Sequence, residues 1–222
     1  MDNDSPILEV DGRRPLSADR IDAIGEACDR AEAHGGRLVL HVSGAPEGSW
    51  ADDLTVSLVS KWERALRRLE RLPAATVAVV DGDGDVGGLA LDVLLATDYR
   101  IATGSVRLVL PVSDGATWPG MALYRLGRQG AGAAVIRRAV LFGTPVEAAE
   151  ALAVQLVDEV VDDPARALEL AGERFTAVAG SELAIRRQLM LEASTNGFEE
   201  ALGAHLAACD RALRRAAAGV AS

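Results

Sequence analysis

The sequence predicts an α/β fold followed by a C-terminal helical region, and three observations carry that expectation. Short β-branched runs alternate with segments of helical apolar period, a glycine-rich turn joins one such run to an apolar helix, and nearly everything after Met121 has helical character. Ile7–Val10 is the first expected strand, and the helix after it is capped by Ser17 and stopped by Gly35-Gly36. "RLVLHV" (Arg37–Val42) is the second strand, with the loop "SGAPEGSWADD" behind it. Leu54, Leu58, Trp62, Leu66 and Leu69 recur at helical spacing, and Pro73 ends that helix. "TVAVV" (Thr76–Val80) reads as a short buried strand and "LALDVLLA" as a buried helix. "YRIA" and "VRLVL" read as strands and "PVSDGATWPG" as a loop. Thr144-Pro145-Val146-Glu147 has the form of a capping box with proline at the first helical position. "LVDEVV" is a last strand-like segment before Pro164, and the remainder is helical, with Ser181 as a cap. Phe198, Leu202, Leu206, Cys209 and Leu213 form an apolar stripe in that tail. The expected division is an α/β core over residues 1–143 and a helical region over residues 144–222.

With 222 residues, 49% hydrophobic and 25% charged, the chain has an ordinary globular composition and can bury a sizeable core. Its net charge of −10 argues against a general nucleic-acid binder, because no basic excess exists to displace counterions. Arg67, Arg68 and Arg71 form a local basic helix surface, read as a solvated face or as a contact for a phosphorylated small ligand or a partner protein. Lys61 is the only lysine, which excludes Schiff-base chemistry elsewhere. Cys28 and Cys209, far apart in apolar helical contexts, are expected as buried free thiols. The three histidines share no metal-ligand spacing, so no metal site is expected. The acidic start "MDNDSPILEV" has no signal-peptide character, and no apolar run reaches membrane-spanning length. The expectation is a cytoplasmic protein with neither membrane nor nucleic acid as partner.

"VVDGDGDVGGLALD" (residues 79–92) concentrates four glycines and four aspartates and admits three readings. Asp81, Asp83 and Asp85 start like a calcium loop, but Val86 replaces the sharp-turn glycine, Asp92 replaces the bidentate glutamate, and a strand precedes the loop where a helix is needed. Gly82 to Gly87 matches the dinucleotide pattern G-x-G-x-x-G between strand and helix. A pyrophosphate there would face three carboxylates, and no acidic residue closes a second strand for the ribose. The third reading is an oxyanion hole. A glycine turn at a helix N-terminus lets backbone N–H groups approach a carbonyl, and the helix dipole favours the charge that develops on it.

The flanks decide among these readings. "VAVVDGDGDVGGLALDVLLATDYRIA", Pro111-Val112, Pro119-Gly120 and "VLFGTPVEAAEALAVQLVDEVV" occur in the order and spacing of the crotonase (enoyl-CoA hydratase/isomerase) superfamily, which the chain resembles over at least residues 37–163. The resemblance implies stacked ββα turns in a crotonase-like spiral, with a C-terminal helical region for oligomerisation. It implies an acyl-CoA thioester as ligand, coenzyme A entering as part of the substrate and not as a separate cofactor. "SKWERALRRLERLPAATVAVVDGD" and "DGATWPGMALYR" resemble one branch in particular, the hydratase-like proteins of the dihydroxyphenylglycine pathway of glycopeptide antibiotics. That likeness implies a polyketide-derived substrate, dehydrated and aromatised to 3,5-dihydroxyphenylacetyl-CoA. It also implies a type III polyketide synthase and a second hydratase-like protein as partners, and a homo-oligomer (a trimer or a dimer of trimers).

Asp98 and "YRIA" set the register of the resemblance. The family's first catalytic glutamate falls on Asp92, a carboxylate one methylene shorter. One oxyanion N–H falls on Leu89, or on Gly88 with a one-residue slip. The other falls in "SWADDL" on Asp52, or on Ala51 with the same slip. Pro111 matches the family proline, which places the second catalytic glutamate on Val112. Hydration uses two carboxylates to activate one water, and here one of them is apolar. Asp114 is the second candidate catalytic carboxylate, reaching in from the loop; its other reading is a solvated turn residue before Gly115. Ala51, Gly87, Val112 and Trp118 complete the expected substrate-binding set, with Trp118 read as a wall of an acyl pocket or as packing under the loop. Two functions follow: a lyase-like enzyme working with one retained carboxylate, or a non-catalytic partner that enhances the synthase.

Overall fold

The computed structural model describes residues 5–48, 50, 54–80, 82–113, 115–128, 132–175 and 180–220. The chain begins β1 (Ile7–Asp11), α1 (Ala18–His34), β2 (Arg37–Ser43), α2 (Val56–Leu69), β3 (Ala75–Val80), β4 (Gly84–Val86) and α3 (Leu89–Leu95). It continues through β5 (Tyr99–Ala102), β6 (Val106–Leu108), β7 (Val112–Ser113), β8 (Ala116–Thr117), α4 (Ala122–Arg128) and α5 (Ala133–Phe142). β9 (Val146–Glu147), α6 (Ala148–Ala153), β10 (Glu159–Val160), α7 (Pro164–Phe175), α8 (Ser181–Glu192) and α9 (Phe198–Val220) complete it.

β3 is buried at every position, as a strand covered on both faces must be. It lies at the centre of a five-stranded parallel sheet, β1-β2-β3-β5-β10. Parallel neighbours need long crossovers, and α1, α2 and α3 supply them. Alternation along β2 divides the apolar residues between two faces. Leu38 and Leu40 meet Ile24 and Cys28 of α1, Trp62 and Leu66 of α2, and Leu89 and Leu94 of α3. Val39 joins Val77, Val79 and Ile101 on the opposite face, which Ala167 and Ala171 of α7 cover. A smaller sheet, β4-β6-β9, pairs β4 parallel to β6 and β6 antiparallel to β9.

Several sequence expectations are corrected. The glycine-rich segment is not all loop: Gly84–Val86 forms β4, parallel to β6. "PVSDGATWPG" contains the antiparallel pair β7-β8. The capping box at Thr144–Glu147 does not form. Val146 is buried and lies opposite Leu108 in an antiparallel pair, and α6 starts only after Glu147, because sheet pairing and burial outweigh local capping. β9 and β10 lie beyond residue 143 yet pair with β6 and β5, so strand pairing crosses the expected division. Ser17 has extended backbone at the N-cap of α1, but its hydroxyl makes no capping bond. Thr55 does cap α2, accepting from the Leu58 N–H at 3.1 Å. Gly180, not Ser181, holds the N-cap of α8. Cys28 is buried, and burial pushes its thiol up to about 11. Cys209 is exposed, as are Phe198, Leu202, Leu206 and Leu213 along the same helix. The stripe in α9 is therefore real in period and uncovered within a single chain.

Candidate active site

Three backbone segments converge beneath the glycine turn. The Gly87 N–H donates to the Gly44 carbonyl at 3.0 Å, which ties the turn to the loop after β2. A Cβ on Gly12 would lie 2.4 Å from the Gly44 oxygen and 2.7 Å from the Gly87 oxygen. Gly88 is the N-cap of α3 with φ +56°, and a Cβ there would meet the Pro46 ring at 2.7 Å. Glycine is thus required at position 88 both by its backbone angle and by its neighbour. The first bonds of the turn run from the Ala90 N–H to the Gly87 oxygen and from the Asp92 N–H to the Gly88 oxygen. The N–H groups of Gly88 and Leu89 precede them, at the end of the helix where donors have no intrahelical acceptor. Leu89 itself is fully buried.

Asp92 lies one turn inside α3 with 0% exposure. Its Oδ2 accepts from two indoles, Trp118 Nε1 at 2.8 Å and Trp62 Nε1 at 3.2 Å. Its Oδ1 has no hydrogen-bond partner among the described residues. Gly120 packs so closely that a Cβ there would lie 2.1 Å from Oδ2. Burial first, and then the negative charge of Glu63, push the Asp92 carboxyl up to about 7; the Trp118 bond, Arg125 and the Trp62 bond oppose that rise. Glu63 is itself fixed, since Arg125 Nη2 donates to it at 2.9 Å and the Met121 N–H at 2.7 Å. Arg125 also reaches Glu70 at 2.8 Å. A carboxyl that titrates near neutrality, with one oxygen free of hydrogen bonds among the described residues, is suited to take a proton and return it.

Gly87, Gly88, Leu89, Asp92 and Trp118 are therefore brought together. Trp118 is a hydrogen-bond partner of Asp92, and Trp50 meets it edge to face with ring centroids 5.4 Å apart. Pro111 also belongs here: its carbonyl accepts from the Trp118 N–H, and its ring lies 3.0 Å from where a Gly87 Cβ would be. Val112 is not drawn in; it is 58% exposed on β7. Ala51, Asp52 and Asp114 lie outside the described residues. Two of the conspicuous loop aspartates are engaged by the segment around β6, Asp85 pairing with Arg107 at 2.6 Å and Asp83 accepting from Ser105, while Asp81 lies outside the described residues. Arg67 pairs with Glu70, and Arg68 with Asp29 and Glu32 of α1, so both arginines are occupied within the chain. Sequence reasoning missed Trp62, Glu63, Arg125 and Gly120 as neighbours of Asp92. A signal existed for Trp62, because a tryptophan on the buried stripe of a helix needs an acceptor for its N–H.

Solved structures share this architecture. An enoyl-CoA hydratase/isomerase family protein of Silicibacter pomeroyi superposes with TM-score 0.74 at 18% identity, covering 94% of this chain and 95% of that one. An enoyl-CoA hydratase of Polaromonas sp. JS666 does so with TM-score 0.74 at 20% identity, covering 98% and 92%. The fold is the α/β crotonase fold with additional C-terminal helices. Residues 48–216 match the family described as enoyl-CoA hydratase/isomerase, and the chain belongs to that family. A relative in Amycolatopsis orientalis, described as an enoyl-CoA hydratase, is 54% identical over 217 residues, 97% of this chain and 99% of that protein.

Proposed function

We propose that this protein binds a polyketide-derived acyl-CoA thioester and promotes its dehydration and aromatisation to 3,5-dihydroxyphenylacetyl-CoA. The observation that carries the proposal is Asp92: a buried carboxyl one turn inside α3, pushed up to about 7, whose Oδ1 has no hydrogen-bond partner among the described residues. In this reading the N–H groups at the start of α3 take the thioester oxygen, with the second donor assigned by resemblance to Asp52 or Ala51. Ionised Asp92 removes the α-proton, and the bond's electron pair passes to the carbonyl oxygen as an enolate. The enolate then reforms the carbonyl and expels the β-hydroxyl, which takes the proton from Asp92 and leaves as water. One carboxylate suffices for this sequence because no water has to be activated. Asp92 is fully enclosed, so entry of the thioester requires part of its cover to move, and Trp118 and Gly120 are one wall of that cover. Coenzyme A is part of the substrate, and the working form is a homo-oligomer acting beside a type III polyketide synthase and a second hydratase-like protein.

Val112 favours a second reading, in which the fold is a non-catalytic partner that raises the synthase's output. The position expected to hold the second carboxylate is apolar and turned to solvent. Asp92→Asn and Asp92→Ala, assayed with the synthase present, separate the two. The catalytic reading expects product formation to fall about 100-fold or more in both. Undiminished formation by both folded variants rejects it in favour of the partner reading.

A further inference from the structure

We propose that Trp62 and Trp118 are positioning residues for this reaction: they anchor Asp92 through Oδ2 and leave Oδ1 as the oxygen that gives and takes the proton. The proposal rests on the reading of Asp92 as the proton carrier. Its basis is the contrast between the two oxygens. Oδ2 receives two N–H donors, at 2.8 and 3.2 Å, while Oδ1 is buried without a partner among the described residues. An indole N–H only donates, so neither ring can turn round to accept a bond when the carboxyl is protonated. A hydroxyl partner could reverse its role and let the proton settle on either oxygen. Two donor-only partners on one oxygen send the proton to the other.

The same arrangement serves both protonation states without rearrangement, as a preorganised acid and base requires. It also gives Gly120 a reason. Position 120 presses on the carboxylate, and any Cβ there would displace it from the two indoles. The charged groups acting on Asp92 are Glu63 from α2 and Arg125 from α4, which are paired with each other. They set the level of the titration, and the indoles decide where the proton sits. Trp62 comes from α2 and Trp118 follows β8, so the two anchors approach Asp92 from separate elements.

The chain has three tryptophans, so ¹⁵N-labelled indole resonances can follow the site in the intact protein. The Trp62 and Trp118 N–H signals are expected to titrate together with one midpoint near neutral pH, Trp118 moving more, and both titrations disappear in Asp92→Asn. Trp118→Phe removes a donor that favours the anion, so the midpoint reported by Trp62 should rise by about one pH unit. The pH dependence of the dehydration rate should move with it, and Trp62→Phe should act in the same direction by less. Indole signals that ignore pH, or a titration that survives in Asp92→Asn, overturn the proposal. These outcomes need no tryptophan variant to fold. Indoles that titrate as expected beside a pH-independent rate overturn the catalytic reading of Asp92 and leave its anchoring in place.

Discussion

Two carboxylates stand near opposite ends of α3, and the structure treats them differently. Asp98, just beyond the helix, accepts from the Thr76 N–H and hydroxyl at 2.9 Å each. It also receives both Nε and Nη2 of Arg187, at 2.6 and 2.5 Å. Arg187 is buried and spends its remaining donors on the carbonyls of Glu70, Leu72 and Ala74, tying α8 to the segment that enters β3. Asp92, one turn inside the same helix, has neutral donors on one oxygen and, among the described residues, no hydrogen-bond partner on the other. A partly exposed carboxylate matched by a buried bidentate guanidinium holds elements together. One matched only by indoles is kept from ionising easily, which costs stability and makes a proton available near neutral pH.

Breaking the Asp98 end should have the largest effect. Arg187→Ala removes the bidentate partner of Asp98 and leaves two buried carbonyls without their donor, so urea unfolding should show a loss of about 2–5 kcal/mol. Gly120→Ala attacks the Asp92 end sterically, since its new methyl must displace the carboxylate. A loss of about 1–3 kcal/mol is expected, together with loss of dehydration activity. The third test separates the two carboxylates by pH. The folded-state value of Asp92, about 7, lies above its usual 3.8, so the folded protein holds more protons than the unfolded chain between those limits. Asp92 therefore lowers stability as pH rises through that window, at up to about 1.4 kcal/mol per pH unit. Its cost is absent below the window and saturates above pH 7. Asp92→Asn should remove this slope in denaturation curves taken from pH 4 to 7, and a variant with the parent's slope would break the contrast between the two carboxylates.

Much of the fold was legible because the signals are local. The β-branched runs became β1, β2, β3 and β5, and the spacing of Trp62, Leu66 and Leu69 placed the buried face of α2. Legibility failed where pairing partners lie far away. Nothing between Thr144 and Glu147 announces that Val146 will lie opposite Leu108. Three-residue β4 is likewise held by its pairing with β6, inside a segment whose glycines and aspartates read as loop.

By itself the sequence determined an α/β chain with a turn at Gly87-Gly88 and a carboxylate one helical turn further on. Those features depend on residue period, on backbone angles open to glycine, and on spacing along one helix. Only the tertiary structure decided what that carboxylate meets. Trp62 and Trp118 lie 30 and 26 residues from Asp92, and no period in the chain connects them. Their convergence depends on how α2 and the segment after β8 pack around α3. That packing sets the burial of Asp92 and the two donors that meet its Oδ2.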